Sequence, residues 1–117
     1  MLAPAPIGLA ATVDIMKAAA ESSRLRILLL LARGDLTVTD LTEILAQSQP
    51  RVSRHLKLLM EAGLIERYQE GSWAFFRLSD NDAGDILSGV IGRIDRADPT
   101  VERDLERLSA VKRKRQE

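Results

Sequence analysis

At 117 residues the chain is long enough for one small domain with a single modest core, and 45% apolar against 29% charged residues is an ordinary globular balance. Seventeen basic and seventeen acidic residues cancel, so attraction to nucleic acid or membrane would have to come from a local surface. The absence of cysteine removes disulfides, thiolate metal sites and thiol nucleophiles, and aromatics at 3% leave aliphatic helix packing to fill the core.

The opening MLAPAPIGLAA lacks a basic flank and is too short for a signal peptide or membrane span, so residues 1–12 read as a loose arm of a cytoplasmic protein. VDIMKAAA, from Val13, is helix-prone. Ser22 or Ser23 offers a cap for RLRILLLLA, whose leucines lie nearly all round and mark a central buried helix. Gly34 stops it, DLTV is briefly extended, and Thr39 is placed to cap a two-turn helix carrying Leu41, Ile44 and Leu45. A tight QSQ connector leads to Pro50 at the first turn of RVSRHLKLLMEAG, with Gly63 as its stop. LIERYQ and WAFFRL then form a hairpin around EGS.

The cluster SDND opens a further helix with Ile86, Leu87, Val90, Ile91 and Ile94 on one stripe, ending before Asp98-Pro99. Residues 99–117 read as a polar C-terminal helix or linker, with a thin apolar stripe at Val101, Leu105, Leu108 and Val111 and a basic KRKR near its end. This element order is that of a winged helix-turn-helix, a mainly α (α+β) fold with a two-stranded hairpin wing and flanking dimerisation helices, over residues 13–98.

In the segment from Arg51, Val52, Leu56 and Leu59 fall on one face while Arg51, Arg54, His55 and Lys57 spread over the other, and no acid lies between Gln47 and Met60. Such a helix suits double-stranded DNA. Ser48, Gln49, Arg51, Ser53 and Arg54 occupy its first turns, where a groove-bound helix meets base edges, while Lys57 and His55 suit phosphates and the hairpin's Arg67 and Ser72 a flanking phosphate or the minor groove. His55, the sole histidine, reads more simply as a boundary residue than as a metal ligand, and no catalytic, metal or cofactor site is expected. Asp35, Asp40 and Glu43 read as helix-start carboxylates, and Trp73, Phe75 and Phe76 as hairpin residues packed on the core. The stripe from Ile86 to Ile94, together with Ile15 and Met16, is expected to bury against a second copy in a homodimer; the alternative is that it closes the chain's own core.

Taken together, SRLRIL, LTVTDLTEIL, QSQPRVSRHLKLL and AGLIERYQEGSWAFFRL resemble the ArsR/SmtB group of bacterial regulators over roughly Val13 to Ile94. The resemblance implies a dimeric transcriptional repressor on an inverted-repeat operator. Metal-sensing members carry cysteines where this chain has Thr37 and Thr39, and threonine does not replace thiolate for soft metals, so metal sensing through that segment is not expected; an effector, if there is one, reads as a small organic molecule or a redox-independent signal. DPTVERDLERL is similar to a segment following the regulatory half of some proteins fused to an S-adenosylmethionine-dependent methyltransferase, so the chain reads either as a free-standing regulator or as the N-terminal module of such an enzyme.

Overall fold

Helix α2 (Ser22–Leu31) is the axle of the molecule: Ile27, Leu28, Leu29, Leu30 and Leu31 are all buried, because neighbours cover it on nearly every side. The computed structural model describes residues 6–116, so the first five residues of the expected arm lie outside the described residues. Around α2 are packed α1 (Leu9–Ala19), α3 (Val38–Leu45), α4 (Gln49–Glu61), α5 (Asp82–Arg93), α6 (Pro99–Gln116) and a small antiparallel sheet, making a mainly helical α+β winged helix-turn-helix.

The sheet has three strands in the order β1 (Leu36–Thr37), β3 (Trp73–Leu78), β2 (Ile65–Glu70), so the expected hairpin gains a third member. Thr37 pairs with Phe75 and Leu36 with Phe76, which pins the wing to the start of α3. At the other edge Glu70 pairs with Trp73 across a two-residue turn in which Gly71 takes φ +62°, a backbone angle that glycine adopts without a Cβ clash.

Helix starts follow local capping chemistry, at positions that differ in part from the sequence expectation. α1 begins at Leu9, four residues before Val13, within a stretch that had read as arm. Glu21, not a serine, caps α2 by accepting from Arg24 N–H at 2.9 Å; Ser23 is buried and its hydroxyl accepts from Gln47 Nε2 at 2.7 Å. Thr37, not Thr39, caps α3 in a reciprocal box: Thr37 Oγ1 accepts from Asp40 N–H while Asp40 accepts from Thr37 N–H. The turn from α3 into α4 passes through Ala46 at φ 55°, in the left-handed region, and Ser48 caps α4 with Pro50 in the first turn. Asn81 caps α5 and also donates to Gly63 O at 3.0 Å, tying the end of α4 to the start of α5.

Residues 99–116 are a docked helix rather than a linker. α6 lies against α2 and α3, burying Val101, Leu108 and Val111. Asp104, itself 3% exposed, receives Arg26 Nε and Nη2 at 2.8 and 2.9 Å, and Arg107 donates to Ile44 O at 2.9 Å. The carboxylate holds Arg26 above its usual guanidinium pKa through this hydrogen bond and its charge, against the opposing effect of burial.

Candidate nucleic-acid interface

The side chains of α4 are sorted by its periodicity. Val52, Leu56 and Leu59 are fully buried, which fixes the helix's rotation about its own axis and turns Gln49, Arg51, Arg54 and Lys57 to solvent. Gln49 Nε2 donates to Ser53 Oγ at 2.8 Å, so two expected base-reading groups are held together one turn apart. Ser48 stands at the same end with its hydroxyl accepting from Arg51 N–H at 3.4 Å, so its role in the free protein is capping.

His55 is turned back from this surface. It is half-buried, with Nδ1 3.2 Å from Arg24 Nη1 and 3.9 Å from Glu21 Oε2, in a corner formed by the start of α2 and the second turn of α4. Burial pushes the imidazole pKa below its ordinary value, and the charges of Arg24, Arg51 and Arg54 act in the same sense while Glu21 opposes them. Glu21 sits below its ordinary carboxylate value: its partial burial acts upward but is outweighed by the N–H groups of Arg24 and Ser23 and by the charges of His55 and Arg24. Leu58, on the polar arc, is partly exposed beside Asp14, Lys17 and Glu61 of a shallow cleft between α1 and α4.

Arg67 and Ser72 are exposed on the hairpin, as is Glu70. Of the three hairpin aromatics, Phe76 enters the core, Phe75 is half-buried and stacks on Tyr68 with ring centroids 5.6 Å apart, and Trp73 is 60% exposed at the wing tip. The expectation that Trp73 packs on the core therefore fails: it stands at the hairpin turn opposite Glu70, on the rim of a surface groove with α3 and α6. Sequence alternation had no means to separate Trp73 from Phe75, since both lie on one face of the strand.

The candidate dimer residues divide. Ile15, Leu87 and Ile91 are buried in the chain's own core, with Leu87 and Ile91 lining a cleft shared with Leu28, Leu64 and Leu78. Met16 at 57% and Val90 at 50% are exposed, and Ile86 and Ile94 are half-buried. Leu9 and Val13, which had read as arm and helix start, join Met16 as an apolar stripe along α1.

The family of bacterial regulatory proteins called arsR matches residues 21–67, from the cap of α2 into the wing. The arsenical resistance operon repressor of Escherichia coli is 47% identical over 68 residues, 57% of this chain and 58% of that one. The repressor of the same name from Bacillus subtilis is 41% identical over 73 residues, 62% of this chain and 70% of its own length. Among solved structures, the homodimeric winged helix-turn-helix DNA-binding domain of Mb0332 from Mycobacterium bovis superposes with a TM-score of 0.65 at 29% identity, covering 70% of this chain and 76% of that one. With its helix-turn-helix matched by the family model and a repressor of 41% identity covered over 70% of its length, the chain belongs to the arsR family of bacterial regulatory proteins.

Proposed function

We propose that this protein is a sequence-specific transcriptional repressor that binds an inverted-repeat operator as a homodimer in the cytoplasm and performs no catalysis. The observation that carries the reading is the α4 surface, where Arg51, Arg54 and Lys57 stand exposed with no acid from Gln47 to Met60, in a chain of zero net charge. Arg51 and Arg54 suit bidentate contact with guanine, Gln49 and Ser53 suit base edges, and Lys57 and Arg67 suit phosphates. We assign to the second copy the apolar residues Leu9, Val13 and Met16 of α1 and Ile86, Val90 and Ile94 of α5, in a dimer that would set two α4 helices about 34 Å apart, one turn of duplex. α6 belongs to this unit.

Arsenical resistance repressors are among the relatives, yet this chain has no cysteine, and the Thr37 hydroxyl is engaged in capping α3. We therefore propose that soft metals are not sensed at this segment. The alternative, a regulatory module of a longer S-adenosylmethionine-dependent methyltransferase, draws on the likeness of the DPTVERDLERL segment alone; sequencing the reading frame past Glu117 separates the two.

Fluorescence anisotropy on a duplex recovered from a randomised pool tests the DNA reading. Arg54→Ala should lose about 1–3 kcal/mol of discrimination between cognate and altered duplexes, while Lys57→Ala should weaken all duplexes alike. Unchanged affinity and preference in Arg54→Ala would overturn the assignment of this surface.

A further inference from the structure

The last turns of α6 carry Lys112, Arg113, Lys114 and Arg115 in succession, all exposed, whereas Glu102, Asp104 and Glu106 stand in the first half of the same helix. Cations at a helix C-terminus are favoured by the helix dipole, but the dipole does not determine what they lie against. Here the helix is anchored by Val101, Leu108 and Val111 and by the Arg26–Asp104 pair, so its basic end has a fixed address.

That address is the flank of the wing. The Arg115 guanidinium lies 5.5 Å from the centroid of the Phe75 ring and pairs with Asp40, and Lys114 Nζ is 3.0 Å from Glu43 Oε1 on α3. Both cations share with exposed Trp73 a groove of about 480 Å³ between α3, β3 and α6. Lys114 and Glu43 are exposed side chains, and pairs of that kind add little to stability and readily give up one partner for another.

We propose that the basic end of α6 is a second DNA-binding element, contacting backbone phosphates of the duplex that flanks the half-site read by α4. The wing and the first helix of the helix-turn-helix lie at the side of the recognition helix, where a docked winged domain meets flanking phosphates. Within the groove Asp40 and Glu43 balance Lys114 and Arg115, and Lys112 donates to Arg33 O at 2.9 Å, so the excess positive charge at this end of the helix is the exposed Arg113, while Trp73 adds a flat apolar surface suited to a sugar edge. This inference rests on the DNA-binding reading above.

The test uses the full chain and two duplexes recovered with it: one trimmed to the half-sites, one extended by about ten base pairs, one helical turn, at each end. The wild type should bind the extended duplex more tightly and with the steeper salt dependence. Arg113→Ser/Lys114→Ser should keep the wild-type affinity for the trimmed duplex. On the extended one it should lower the slope of log affinity against log salt by about 3 to 4, the release expected for two phosphate contacts in each of two subunits. Arg113→Ser alone should give about half that change, without touching the Glu43 pair, and circular dichroism should show both variants folded.

Wild-type slopes on both duplexes in the double variant, with Arg54→Ala still impaired, would overturn this element and leave the α4 reading intact. Equal weakening on the two duplexes would place the contacts inside the half-site and overturn the flanking assignment. A wild type that binds no duplex would overturn both.

Discussion

Asp104→Ala is the sharpest test of how α6 is held. The side chain of Asp104 is 5% exposed and that of Arg26 15%, and they are joined by two hydrogen bonds of 2.8 and 2.9 Å. Removing the carboxylate leaves a guanidinium that does not deprotonate and has lost its counter-charge. Breaking a buried pair from one side costs about 3–5 kcal/mol, and the water that still reaches Arg26 puts the expected loss near the lower bound, about 3 kcal/mol. With a urea slope of about 1.5 kcal/mol per molar, the unfolding midpoint followed by circular dichroism should fall by about 2 M. Arg26→Met/Asp104→Leu, which removes both charges and keeps apolar volume, should recover most of that loss, and the cycle closed with the single variants Arg26→Met and Asp104→Leu should return a strongly favourable coupling. A fall of less than about 0.5 M would make the pair no stronger than an exposed one, and the docking of α6 described above would be wrong.

Val90→Asp, placed on an exposed position of α5, should give a folded monomer with much weaker operator affinity by light scattering and anisotropy, whereas Ile91→Asp, at 6% exposure, should unfold the chain; a Val90→Asp variant that stays dimeric would remove α5 from the interface. Because burial and the surrounding arginines hold the folded-state pKa of His55 below that of the unfolded chain, the unfolded state takes up the proton first. Stability should therefore be full above pH 6.5 and decline as the pH falls through that value toward the folded pKa; thermal melts of His55→Gln should lack this decline. Gly84→Ala should destabilise the protein although alanine is the better helix former by about 1 kcal/mol, since a Cβ there would sit 2.2 Å from the Ser79 carbonyl oxygen; a rise in melting temperature would contradict the packing at the start of α5.

Local chemistry made much of the fold legible. The leucine-rich run of α2, the Ser48-Gln49-Pro50 start of α4 and the Glu70-Gly71-Ser72 turn each contain their own instructions, and the burial of Val52, Leu56 and Leu59 follows directly from helical spacing. What stayed hidden depends on partners distant in sequence. Nothing within DLTV announces that Thr37 pairs with Phe75, and nothing within DPTVERDLERL announces that Asp104 meets Arg26, 78 residues away. The stripe on α5 was visible, but periodicity gives the direction of a face and not what covers it, so Leu87 and Ile91 were indistinguishable from Val90. The boundary position of His55 was legible in the helical spacing, but its partners Arg24 and Glu21, at the start of another helix, were not.

Ala46 occupies a left-handed conformation, at φ 55°, that an alanine adopts only at a cost of about 1–2 kcal/mol. The surroundings over-determine it: the Thr37–Asp40 box fixes the start of α3, Ser48 fixes the start of α4, and the two helices pack on each other, α3 also against α6 and α4 also against α2, burying Ile44, Leu45 and Val52. A glycine would relax the turn but would leave the unfolded chain, and a loosened native one, with more conformations to surrender. With alanine, the angle between the two helices is set in the free protein, so on the proposed DNA reading the encounter would spend little ordering entropy at the turn and α4 would meet the groove already preorganised.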